Sequence, residues 1–233
     1  MEIVKGFIQR KVVILLAAIV LVFFVLFNSG FFGGQDERVK IACVGDSLTY
    51  GSGVLETREM DSYPAQLQTK LGTSHIVYNY GLRNATASQS GDLPYVESEE
   101  YKESLTSEPD IVILMLGTND TKTYNWNSKD YEKGLEELVR SYQSLDTKPT
   151  VYLMRSPYCY ATDGGDVAKY NIQPGIVADE LGDIVTKVAE STGVEVIDLY
   201  TPTYGKDDLY TDGIHFNADG YKLIADEVYA AVK

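Results

Sequence analysis

The chain has 233 residues, 44% of them hydrophobic and 23% charged, enough for one sizeable globular domain around a single core. Its formal net charge of −14 at pH 7, with no run of lysine or arginine, excludes a nucleic-acid binder, because phosphate contacts need a concentrated positive surface. Two cysteines make no disulfide scaffold and two histidines at these spacings make no zinc site, so no metal or other cofactor is expected.

Residues 1–11 form a basic tail with Lys5, Arg10 and Lys11. Residues 12–27, VVILLAAIVLVFFVLF, contain no polar side chain, and the apolar stretch continues to Phe31 and Phe32. As a helix it reaches about 30 Å, which predicts a transmembrane anchor over 12–32. Positive-inside bias then keeps the N-terminus cytoplasmic and places the rest of the chain across the membrane. A cleaved signal peptide, giving a secreted protein, is the alternative, although Asn28-Ser29-Gly30-Phe31-Phe32 is not an Ala-x-Ala type of cleavage site. Residues 33–38 read as a polar linker, and 39–233 as one domain.

The domain opens on a short apolar run, Val39 to Val44, that breaks into Gly45-Asp46-Ser47. Its length and β-branched content predict a buried strand, with Cys43 a buried thiol inside it. Residues 62–71 predict a helix, with Ser62 as N-cap, Pro64 in the first turn and Gly72 as the stop. A second strand over 75–80 begins at His75 and ends at Gly81, followed by a polar loop over 82–96 and a weak helix over 97–105. Residues 110–116 are the clearest buried strand and end in Gly117-Thr118-Asn119-Asp120. Tyr131, Leu135, Leu138, Val139 and Tyr142 form a helical stripe within 129–145. A fourth strand at 150–154, a Tyr- and Gly-rich loop holding Cys159, a helix over 176–190 and a fifth strand at 194–199 follow. The loop 200–214 leads to Asn217, which can cap a last helix over 218–232. Strands alternating with helices predict an α/β fold, a three-layer α/β/α sandwich on about five parallel strands.

Four polar clusters fall at strand ends or before a helix: Gly45-Asp46-Ser47, Asn79-Tyr80-Gly81, Gly117-Thr118-Asn119-Asp120 and Asp212-Gly213-Ile214-His215. A serine hydroxyl needs a base and an acid that orients it, and a reacting ester needs donors aimed at the developing oxyanion. Ser47 as nucleophile, His215 as base and Asp212 as orienting acid satisfy the first requirement. The backbone N–H of Gly81 and the amide of Asn119 are candidates for the second. Asp46 reads as a carboxylate that orders the loop and as a candidate substrate contact. Trp126, the one tryptophan, is a candidate pocket wall or equally a core anchor. Loop tyrosines such as Tyr158, Tyr160, Tyr204 and Tyr210 could stack on sugars, although such residues more often fill core and surface.

With these clusters in this order, the chain resembles the GDSL, or SGNH, family of serine esterases from about Lys40 to Lys233. GDSLTYG resembles the nucleophile block, GTND the asparagine block and DGIHFNADGY the Asp-x-x-His block. The resemblance implies a flavodoxin-like fold, a triad of Ser47, Asp212 and His215, and an oxyanion hole from the Ser47 N–H, the Gly81 N–H and Asn119. The glycine block departs: similar members often read Asn-x-Gly-x-Ser-Gly-Ala-Thr, whereas here Arg83 and Asn84 follow Gly81-Leu82 and alter the pocket rim. Likeness to bacterial carbohydrate or sialate O-acetylesterases implies a carbohydrate ester as substrate. A lysophospholipase or thioesterase acting on longer acyl chains is the enzymatic alternative. A non-catalytic cell-surface binding domain would be favoured by loss of a triad residue, and none is lost. A purely structural membrane protein leaves all four clusters unexplained. The sequence assigns no oligomeric state.

Overall fold

The computed structural model describes residue 16, residues 18–22 and residues 37–233. Residues 16 and 18–22 are helical, and the rest of the predicted tail, anchor and linker up to residue 36 lies outside the described residues. Among the described residues no helix is long and apolar enough to cross a membrane. Arg38–Lys233 form one compact unit.

Five strands alternate with helices: β1 (Val39–Gly45), α1 (Ser47–Tyr50), α2 (Tyr63–Leu71), β2 (His75–Gly81), α3 (Glu99–Thr106), β3 (Ile111–Met115), α4 (Ser128–Gln143), β4 (Thr150–Arg155), α5 (Glu180–Thr192), β5 (Glu195–Asp198) and α6 (Ala218–Val232). All neighbouring strands run parallel, in the order β2-β1-β3-β4-β5. Parallel sheets need both faces covered, and the side chains of the central strands divide accordingly. Ile41 and Cys43 of β1, with Ile113 and Met115 of β3, join Leu67, Tyr221 and Ile224 in one core. Ala42, Val44, Val112 and Leu114 point the other way and join Leu135, Leu138 and Val185. The strand period of two thus feeds two cores, and the expected three layers result.

Local chemistry sets the helix ends. Asn127 caps α4 by accepting from the Lys129 and Asp130 N–H groups, and Asn217 caps α6 by accepting from Gly220. Ser62 occupies the N-cap position of α2, but its side chain makes no capping bond. The helix expected over 176–190 is two pieces, Pro174–Ala178 and α5, parted at Asp179. Arg155 reaches across from β4 and donates to the Ala178 carbonyl at 3.0 Å, drawing that group out of the helical ladder. Cys43 and Cys159 are both buried and unpaired.

Strand register is what positions chemistry. Gly45 pairs with both Gly81 and Met115, so β1, β2 and β3 end level. The chain order reverses between β1 and β3, and ligands of open parallel sheets bind beyond the strand ends at such a reversal.

Candidate active site

Ser47 is the first residue of the turn α1. Asp46 caps that turn through a 2.9 Å bond from the Leu48 N–H, so the backbone folds tightly over the end of β1 and leaves Ser47 half-buried. The Asp212–His215 turn meets it from the far end of the chain. Asp212 Oδ1 accepts from the N–H groups of Ile214 (3.1 Å) and His215 (2.8 Å), which fixes the carboxylate. Its Oδ2 lies 2.9 Å from His215 Nδ1, and His215 Nε2 lies 2.9 Å from Ser47 Oγ.

The charge state of Asp212 settles the direction of these bonds. Burial by itself would raise its pKa, but the ring and backbone N–H groups of His215 and the N–H of Ile214 outweigh burial and hold the carboxyl at about 2. At neutral pH Asp212 therefore only accepts, and Nδ1 must carry the proton. Nε2 of the neutral ring is then an acceptor, and Ser47 donates to it.

The residues expected as oxyanion donors stand differently from expectation. Gly81 ends β2, but its N–H donates to Asn79 Oδ1 at 3.0 Å, and the residue does not line the cleft beside Ser47. Its glycine identity has a packing cause: a Cβ there would lie 2.2 Å from the Tyr50 backbone nitrogen. The expectation for Gly81 is thus corrected; it lets α1 sit close to β2. Asn84 lines the cleft instead, with φ +68°. The bond from the Ala85 N–H to the Leu82 carbonyl (3.1 Å) closes a turn with Arg83 and Asn84 at its centre. A positive φ at the third turn position suits glycine or asparagine. Among the described residues, no acceptor engages the Asn84 N–H or the Ser47 N–H. The sequence signal existed, since Asn84 falls where similar members carry the second glycine of that block.

Asn119, 5% exposed, also faces the cleft, and its Nδ2 lies 3.1 Å from the Ala85 carbonyl and 3.3 Å from Asp46 Oδ2. Asp46 is fully buried beneath Ser47 and does not itself line the cleft, so the expected substrate contact is corrected to a scaffold role. Burial pushes its pKa up to about 6 against the opposing bond from Leu48 and the charges of His215 and Lys122. Asp120 is buried too and binds the N–H groups of Ala87 (3.0 Å) and Ser88 (2.8 Å), fastening the 82–88 loop to the end of β3. Trp126 does not reach the cleft: it packs on Tyr131 at 5.9 Å, beside the core, which corrects its pocket-wall reading.

The cleft itself holds about 130 Å³, room for about four waters at about 30 Å³ each. Ile172, Ile214 and Tyr170 supply its apolar wall, and the Tyr170 ring stands edge-on to His215 at 5.7 Å. Tyr170 and Asn171 both have positive φ, at +59° and +62°, and Thr123 donates to the Asn171 carbonyl at 3.0 Å to hold them. Neither Tyr170 nor Ile172 was singled out by the sequence, because nothing in a polar loop announces which residue will fold back over a distant histidine.

The chain matches an acetylxylan esterase of Xylanibacter ruminicola at 31% identity over 212 residues, 85% of this chain and 44% of that protein. It thus spans less than half the length of that relative. Its fold matches a carbohydrate acetylesterase family member from Sinorhizobium meliloti with a TM-score of 0.65 at 21% identity, over 84% of this chain and 97% of that one. It likewise matches an aryl esterase of M. smegmatis with a TM-score of 0.61 at 21% identity, over 84% of this chain and 98% of that one. Residues 43–223 match the GDSL-like lipase/acylhydrolase family, a span that includes every cluster described above, and the chain belongs to that family.

Proposed function

We propose that the protein is a serine ester hydrolase that removes O-acetyl groups from carbohydrate. The observation that carries this reading is the row Asp212–His215–Ser47, with both hydrogen bonds at 2.9 Å. Ser47 Oγ attacks the ester carbonyl while Nε2 of His215 takes its proton, and Asp212 stabilises the imidazolium that forms. The N–H groups of Ser47 and Asn84 and the amide of Asn119 hold the oxyanion. An amide hydrogen of Asn119 turns to it from the 3.3 Å contact with Asp46, the longer of its two. His215 then returns its proton to the leaving alcohol, leaving an acetyl-enzyme. Water, deprotonated by the same ring, attacks that ester, and the proton passes back to Ser47 as acetate departs.

The size of the cleft supports a small acyl group. Sites for drug-sized ligands run to about 300–1,000 Å³, well above the 130 Å³ found here. The names of the similar acetylxylan and carbohydrate acetylesterases support sugar as the alcohol. The test compares hydrolysis of p-nitrophenyl acetate and octanoate by wild type and Ser47→Ala. We expect acetate to be preferred and Ser47→Ala to lose at least about 1,000-fold in kcat. Wild-type-like turnover in Ser47→Ala overturns the mechanism, and a preference for octanoate moves the substrate toward lipids.

A further inference from the structure

Arg83 lines the same cleft as Ser47 and His215, yet hydrolysis gives it no task. Its side chain is exposed and makes no hydrogen bond, ion pair or ring contact with any described residue. The other described arginines are all engaged: Arg58 with Glu59 and the Tyr50 carbonyl, Arg140 with Glu136, Arg155 with Asp198 and Ala178, and Arg38 likewise. In a chain with 34 acidic residues against 20 lysines and arginines, a guanidinium without a partner is notable for where it stands. Its backbone is also fixed. The Leu82–Ala85 turn is closed at 3.1 Å and tied to β1 by the 2.8 Å bond from the Leu82 N–H to the Gly45 carbonyl. Lys169, the cation paired with Asp212 at 3.9 Å, does not line the cleft, which leaves Arg83 as the cation on its wall among the described residues.

Resting on the esterase reading, we propose that Arg83 binds a carboxylate carried on the ring of the sugar whose acetyl ester is cleaved, so that acetylated hexuronates are preferred to neutral hexoses. A guanidinium presents a planar fork of donors that matches a carboxylate two bonds at a time. On an open surface such a pair is worth little. Beside a cleft of this size, a bound sugar displaces water from the pair and the bonds strengthen. Hydrogen bonds to charged groups of this kind correspond to a discrimination of about tenfold to 100-fold. The guanidinium neither donates to the reacting carbonyl nor exchanges a proton, so its effect falls on KM.

The experiment uses the full chain in detergent, with the 2-, 3- and 4-O-acetyl forms of methyl glucuronoside and of methyl glucoside as substrates. Each pair differs only in a carboxylate against a hydroxymethyl group. The readout is the ratio of the two kcat/KM values, in which any loss common to both esters cancels. Wild type should favour the glucuronoside about tenfold or more. Arg83→Gln should bring the ratio close to one through KM, and Arg83→Lys should retain part of it. A wild-type ratio of one or below, or a ratio that survives Arg83→Gln, overturns the proposal. So does hydrolysis of p-nitrophenyl acetate with no turnover of any glucuronoside. Absence of Ser47-dependent turnover on every ester, p-nitrophenyl acetate included, is a separate result that overturns the esterase reading beneath it.

Discussion

Asn84 keeps a left-handed backbone that costs most L-residues roughly 1–2 kcal/mol, at φ +68° in the cleft that Ser47 also lines. Its proposed role as a donor depends on that backbone alone, which separates two substitutions. Asn84→Gly keeps both the conformation and the N–H, so kcat on p-nitrophenyl acetate should stay within about threefold and stability should not fall. Asn84→Val cannot adopt this φ cheaply, so the turn must reorganise, and loss of one oxyanion donor should cost about 100-fold in kcat. Equal turnover in the two variants removes Asn84 from the oxyanion hole. The same residue marks the limit of sequence reading. The meeting of Ser47, Asp212 and His215 was legible because histidine is scarce, with two in the chain, and each of the three residues falls in a polar cluster at a strand end or before a helix. A backbone donor leaves no such trace, and Gly81 was the natural choice because a glycine explains itself by many routes. Only the 3.0 Å bond to Asn79 and the close approach of Tyr50 reveal that its reason is packing.

At the scale of elements, the strands and long helices follow from sequence because period and capping are local properties, as Asn217 and the stripe of α4 illustrate. The break at Asp179 was hidden because its cause, Arg155, lies on another strand. The burial of the carboxylates that fasten the site loops was hidden for a similar reason. Asp46, read as a loop-ordering carboxylate, and Asp120 are buried struts, one under α1 and one under the 82–88 loop. Their burial has a consequence for stability. Desolvation raises Asp46 to about 6 and Asp120 to about 7, and for Asp120 the neighbouring charge of Asp46 adds to the rise. Unfolded, each releases its proton near pH 4. Between about pH 4 and 7 the native state thus holds more protons than the unfolded chain, and stability falls as pH rises through that window. Urea midpoints measured from pH 4.5 to 7.5 should decline, and Asp120→Asn should flatten the decline even if it lowers stability throughout. A rising midpoint across this range, or an unchanged slope in Asp120→Asn, contradicts the account.

At the scale of the molecule, the site joins residues 168 positions apart, Ser47 and His215, so the fold must close before the chemistry exists. Closure runs through the face where α2 meets α6. There Gln66 donates to the Ala218 carbonyl at 3.0 Å, and Lys70 pairs with Asp226. Among the described residues, both buried cores are built from residues beyond position 40, and β1 begins at Val39. The compact unit therefore carries a core on each face of its sheet, which is the condition for independent folding. We predict that residues 38–233 unfold cooperatively and hydrolyse p-nitrophenyl acetate with a kcat/KM within about twofold of the full chain. The full chain, carrying the proposed 12–32 anchor, should sediment with membranes and need detergent for release, whereas 38–233 should remain in the supernatant. A start at residue 46 makes the sharper contrast. It deletes the strand that pairs with both β2 and β3, splitting the sheet at the reversal where Ser47 and Asn119 stand. That fragment should neither fold nor turn over, although every residue of the proposed triad is present in it. Activity in it would mean that the site is assembled by local turns and not by the register of the central strand.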